Sequence, residues 1–176
     1  HDLRKTIEEA ISATPHNPVH WRLGSLSHRP GQKFGKERLQ ALTLVAALLP
    51  GQLVLNYGDE IELSADENYQ QKNLDGSSAQ FFRQILQASV TLSQTRAGYN
   101  SSEYITLKDK PGIFIMTRAN ENTFIVAANF NADLASVPLE DLTDGTDAEV
   151  VAATQNAGSV FHATITAEFF SNSNCK

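Results

Sequence analysis

With 176 residues and 41% hydrophobic content, the chain can bury a sizeable core, yet no apolar run approaches the ~20 residues of a membrane-spanning helix. A net charge of −6 without any basic cluster argues against nucleic acid and anionic membranes as partners. Cys175 is the only cysteine, which excludes an intrachain disulfide and any cysteine-based metal site.

Taken in chain order, Leu3, Ile7 and Ile11 recur every four residues opposite Arg4, Lys5, Glu8 and Glu9. That spacing predicts an amphipathic helix, ended at Thr14-Pro15 because proline disfavours helical geometry in the residue before it. "PVHWRL" follows as a short strand closed by Gly24, and a polar loop is expected from Ser25 to Lys36. "ERLQALTLVAALL" is rich in helix formers and almost wholly apolar after Gln40, so the helix should pack on more than one side before Pro50-Gly51 stops it. "QLVLNY" carries leucine and valine on both faces, as a buried parallel strand does. An acidic, irregular stretch separates it from Ser77-Ser78-Ala79-Gln80, which reads as a capping box. The helix beginning there should bury Phe82, Ile85, Leu86, Ser89 and Leu92 and stop near Gly98.

From about Ser102 the character changes. "EYITLKD", "GIFIMTRA", "TFIVAANF", "EVVAAT" and "FHATITAEFF" are short β-rich runs separated by turn residues, which predicts an antiparallel meander or sandwich. The expected fold class is thus α/β plus all-β, with one unit over 1–101 and a second over 102–176. Two parallel strands would leave unpaired backbone beside large apolar side chains. The first unit is therefore expected to be completed by strands from another polypeptide or from a piece outside this numbering. His1, which is not an initiator methionine, fits a processed precursor.

"WRLGSLSHR" followed by "GKERLQALTLVAALLPGQLVLNYGDEI" resembles the C-terminal part of α-amylase and maltase family glycosidases. Insect-type maltases and the heavy subunits of amino-acid transporters are the nearest branches. The resemblance implies the last two βα units of a (β/α)8 TIM barrel, with Val19 to Gly24 as its seventh strand and Gln52 to Tyr57 as its eighth. It also implies a C-terminal antiparallel β-sandwich. In active members the seventh strand ends in Gly-Asn-His-Asp, whose histidine binds a sugar hydroxyl and whose aspartate faces the positive charge developing on the ring. Here Gly24 is followed by Ser25, Leu26 and Ser27, with leucine at the histidine position and serine at the aspartate position. No Asp or Glu occurs anywhere from Pro15 through Lys36, so the loss survives any shift of register.

Glycosidic cleavage passes through an oxocarbenium-like state flanked by carboxylates. A serine brings no charge to it. The implied function is therefore a pseudoenzyme that works by binding: a secreted carrier or storage protein, the C-terminal chain of a cleaved precursor, docked to the N-terminal chain that completes the barrel. Leu26, His28 and Arg29 are the candidate ligand-binding residues, and an apolar small molecule or pigment is the expected cargo. No metal is expected, since His16 and His20 lack metal-type spacing. Asp59-Glu60 tempt as an acid/base couple, but adjacent residues on a strand would point opposite ways. Trp21 is expected to fill the core. Asn100 is a glycosylation acceptor, and Cys175 is left as a free thiol or one half of an interchain disulfide. Two rivals stand beside this reading: an accessory heavy subunit of an amino-acid transporter, and an active α-glucosidase with a relocated carboxylate. A higher oligomer is open to all three.

Overall fold

A computed structural model describes residues 3–14, 17–64, 66–72, 76–94, 102–106, 112–119, 123–131 and 153–154. Helix α1 (Leu3–Ala13) forms where the four-residue repeat places it, with Ile7 buried and Leu3 and Ile11 packed on the same core. Its outer face is laced by Arg4 to Glu8 at 2.9 Å and Lys5 to Glu9 at 3.8 Å, the i,i+4 spacing that brings side chains together on a helix.

Strands β1 (His20–Trp21) and β2 (Gln52–Leu53) pair in parallel, His20 opposite Gln52 and Trp21 opposite Leu53. Each is shorter than the six-residue run expected. The ladder continues only through Gln52 N–H to the Val19 carbonyl and Val54 N–H to the Trp21 carbonyl, both at 2.8 Å. Among the described residues no third strand flanks this pair, and β2 is half-exposed rather than buried on both faces. Full burial of a parallel strand needs neighbours on both sides.

The connection between them holds two helices, α2 (Pro30–Phe34) and α3 (Lys36–Leu48). The loop expected from Ser25 to Lys36 thus contains a helical turn: Pro30 sits at its first position, where a missing N–H costs nothing, and Gly35 ends it. Helix α3 buries Leu39, Gln40, Thr43, Val45, Ala46, Ala47 and Leu48, so it does pack on more than one side. The last carbonyls of such a helix have no partner within it. Here the Ala47 carbonyl accepts from Ser89 Oγ at 3.0 Å and the Leu48 carbonyl from buried Arg118 Nη1 at 3.1 Å. Just beyond, the Pro50 carbonyl accepts from Trp21 Nε1 at 2.8 Å. Trp21 is partly buried against the core while its indole nitrogen makes that bond.

After β2 the chain makes a 3₁₀ turn over Asp59–Ile61, then a short helix α4 (Tyr69–Lys72). Glu62 follows the turn in the left-handed region at φ 58°, and its buried carboxylate accepts from Ser78 Oγ at 3.0 Å. Helix α5 (Ser77–Gln94) opens with Gln80 N–H on the Gly76 carbonyl. The Ser77 side chain of the expected capping box lies outside the described residues, as does that of Leu92. The helix buries Ser78, Phe81, Phe82, Ile85 and Ala88, while Leu86 is exposed. Its inward face therefore lies about one position away from the one expected.

Strands β3 (Ser102–Thr106), β4 (Ile113–Ala119) and β5 (Thr123–Asn129) form an antiparallel meander in the order β3-β4-β5. From Ile113 to Arg118 every residue of β4 is buried, on both faces of the strand. Phe114, Met116, Val126 and Ala128 join Ile7, Val45, Leu48, Leu49 and Ala88 in one apolar cluster. The sheet and the helices consequently share a core. The two further β-runs expected after 148, apart from Ala153 and Thr154, lie outside the described residues, as do Asn100 and Cys175. No helix among the described residues is long and apolar enough to cross a membrane.

Candidate functional site

Both strands run parallel, so their carboxyl ends deliver two turns to one edge, the place where α/β proteins assemble sites. The first turn is closed by Ser25 N–H on the His28 carbonyl at 3.1 Å and by His28 N–H on the Ser25 carbonyl at 3.2 Å. Asn56, at the end of the β2 segment, ties the turns together by donating from Nδ2 to the Gly24 carbonyl at 3.3 Å.

Within the first turn the side chains form a small ring. The His28 N–H donates to Ser25 Oγ, Ser25 Oγ lies 3.1 Å from Ser27 Oγ, and Ser27 Oγ lies 3.1 Å from His28 Nδ1. When Nδ1 accepts, both hydroxyl protons are committed around the ring. When Nδ1 carries a proton, it donates to Ser27 Oγ, Ser27 donates to Ser25 Oγ, and the Ser25 hydroxyl proton turns outward, while the His28 backbone N–H donates to Ser25 Oγ in both cases. Serine, leucine and serine thus supply hydrogen bonds and an apolar surface but no fixed charge. Leu26, at the tip, is 65% exposed.

Arg29 leaves this turn in the opposite sense. Its side chain is 12% exposed, with Nη1 donating to the Tyr57 carbonyl and lying 3.8 Å from Asp59 Oδ1. It braces the second turn from beneath instead of facing solvent with Leu26 and His28.

Asp59 is the acid to test against the missing carboxylate. Its side chain is 8% exposed, and Oδ2 accepts from the Asn56 backbone N–H at 2.7 Å and from Asn56 Nδ2 at 3.0 Å. Asp59 is bound to its own turn and to Arg29. Glu60 faces elsewhere and accepts from the Tyr69 hydroxyl at 2.9 Å. The two adjacent acids do part company, but on a 3₁₀ turn and not on the strand assumed from the sequence.

One feature of this edge escaped sequence reading altogether. Tyr57, 64% exposed, stacks on Tyr69 with ring centroids 4.7 Å apart and planes 21° from parallel. Above all the hydrogen bond to Glu60 holds the Tyr69 hydroxyl above the usual phenol value of 10.0, with desolvation, the Glu60 charge and Tyr57 acting in the same direction. A raised phenol value means that this contribution to stability is complete below about pH 10 and is lost as pH climbs through the elevated one. In an alkaline absorbance titration, one tyrosine is expected to ionise above the usual phenol value. Tyr69→Phe should delete that late step and leave the rest of the curve in place; an unchanged late step would refute the assignment.

Among the described residues, no group of three or more His, Cys, Asp or Glu side chains is placed to hold a metal ion. His20 is exposed at the start of β1, and His16 lies outside the described residues. No family model and no curated protein matches this chain.

Proposed function

We propose that this chain is an inactive relative of the α-amylase and maltase glycosidases that acts by binding, as a secreted carrier or storage protein for an apolar small molecule. In this reading it is the C-terminal chain of a processed precursor, and the N-terminal chain supplies the strands that complete its barrel. The single observation that carries it is the chemistry of the strand-end edge. The Ser25–His28 turn offers hydroxyls, an imidazole and Leu26, while the acid of the neighbouring turn, Asp59, is buried against Asn56 and Arg29.

A group that stabilises an oxocarbenium ion must face the ring in the transition state with its charge unspent. To do this Asp59 would have to abandon two hydrogen bonds to Oδ2 and the ion pair with Arg29, although its buried Oδ1 accepts no hydrogen bond from the described residues. Each power of ten in rate corresponds to about 1.4 kcal/mol, and loss of one preorganised carboxylate removes several such steps. The same replacements make the edge less hydrated, which favours apolar cargo over sugar. The short parallel pair β1–β2 and half-exposed Leu55 support a missing neighbour on the sheet.

The test is turnover by the natively purified assembly, incubated with maltose, sucrose and an aryl α-glucoside. No release of glucose above the uncatalysed background is expected. Ready hydrolysis of any of the three would overturn the inactive assignment and favour the α-glucosidase.

A further inference from the structure

We infer that the outward face of Tyr57 is a stacking platform for a flat, conjugated ligand. This rests on the carrier reading above and narrows its cargo from apolar molecules in general to planar ones.

Three observations converge on it. Tyr57 presents a ring at the carboxyl edge of the parallel pair, yet it remains 64% exposed although Tyr69 lies against it at 4.7 Å. With Tyr69 against one face and most of the residue still open to solvent, the opposite face is the one a ligand would cover. The ring is also held in place before any ligand arrives. Tyr69 is anchored through its hydroxyl to Glu60, and the Tyr57 carbonyl is fixed by Arg29. A fixed side chain loses little rotamer freedom on binding, which is the advantage of a preorganised contact. Finally, the neighbouring turn displays Leu26 as an exposed apolar side chain, and the Arg29 guanidinium is turned inward.

The near-parallel geometry of the two tyrosines selects the shape of a third member. A flat π-system extends the offset stack at full face contact, whereas a puckered saturated ring touches at only a few atoms. In the first turn, the hydroxyls of a sugar would meet the small Ser25–Ser27–His28 ring, whose members already bond to one another.

The experiment compares 2-naphthol with decahydro-2-naphthol, the same skeleton flat and puckered, by calorimetric titration of the natively purified protein and of Tyr57→Ala and Tyr57→Phe. Binding of 2-naphthol is expected, with about tenfold or greater loss in Tyr57→Ala, affinity within about twofold in Tyr57→Phe, and markedly weaker binding of the saturated alcohol. Tyr57 is exposed, so both variants should fold; circular dichroism checks this. Equal binding of the two alcohols, or indifference to Tyr57→Ala, would overturn the platform while leaving a carrier of unspecified apolar cargo standing. No binding of 2-naphthol would also overturn it, and is the result expected if protein covers Tyr57. Tyr57-dependent binding of maltose without 2-naphthol would assign the platform to sugars and overturn the inference. The inactive assignment on which the carrier reading depends is judged separately, by turnover.

Discussion

Gly51→Ala is expected to lower stability by about 4 kcal/mol or more, near the upper end of what single substitutions do. Gly51 links α3 to β2 with φ at 125°, a region that residues with a side chain rarely adopt. A Cβ there would meet the Val19 carbonyl oxygen at 2.3 Å and Trp21 Nε1 at 2.9 Å. Neither contact can yield cheaply. The Val19 carbonyl accepts the Gln52 N–H that begins the parallel pair, and Trp21 Nε1 is donating to Pro50. With a urea slope of ~2 kcal/mol per molar, the unfolding midpoint should fall by about 2 M. Gly35 is the internal control: its φ is 73°, but nothing lies within 4 Å of an added Cβ. With ψ at 162°, Gly35 lies in a region used almost only by glycine, so Gly35→Ala should cost about 1–3 kcal/mol of backbone strain without any clash, less than the larger effect. Equal shifts for the two variants would show that the clash at Gly51 is relieved by movement and that the pairing of β1 with β2 is looser than described.

Asp59→Ala carries the second large effect, and its sign separates structural from catalytic use of the acid. Removal strands the Arg29 guanidinium, 12% exposed, without a counter-charge and takes the acceptor from two Asn56 donors. Breaking a largely buried pair from one side typically costs about 3 kcal/mol, and denaturant unfolding should show a loss of that order. Replacing both partners together, Arg29→Met with Asp59→Leu, should recover much of it, because no lone charge remains. The Asn56 donors would still lack their acceptor, so recovery should be incomplete. A stable Asp59→Ala variant, with any glycoside hydrolysis of the assembly abolished, is the outcome that would return Asp59 to chemistry.

What the sequence disclosed and what it hid divide along physical lines. Helices α1 and α3 were legible because their signals are local: four-residue apolar spacing, Pro15 and Pro50-Gly51 as stops, and an apolar run too dense for a one-sided helix. The meander was legible from three β-rich runs punctuated by Lys110-Pro111-Gly112 and Asn120-Glu121-Asn122. Helix α2 was missed although Pro30 and Gly35 flank it at the favoured positions, since five residues are too few to show a period. Helix α5 was found, but the apolar Leu86 was set on its inward face, whereas the structure exposes Leu86 and buries Phe81 and Ala88.

At the edge, Ser25, Leu26, Ser27 and His28 could be placed in one turn from sequence, because all four are consecutive. The inward commitment of Arg29 could not. It depends on Tyr57 and Asp59, brought close only when β1 and β2 pair. The tyrosine stack was invisible for the same reason, as Tyr69 stands on a four-residue helix that no periodicity announces. A signal for Asp59 did exist. Asn-Tyr-Gly-Asp is a sequence in which asparagine and aspartate can close a turn on themselves, and here the Asp59 carboxylate accepts from the Asn56 backbone.

A β-rich segment trailing an α/β segment is ordinarily free to swing as a separate body, because contacts between such units are thin and polar. Here Met116 and Val126 are interleaved with Ile7, Val45 and Ala88, and an arginine of the central strand grips the last turn of α3. The meander is thereby denied hinge freedom. Change at the strand-end edge is then expected from the two turns that form it and not from a swing of the meander as a body.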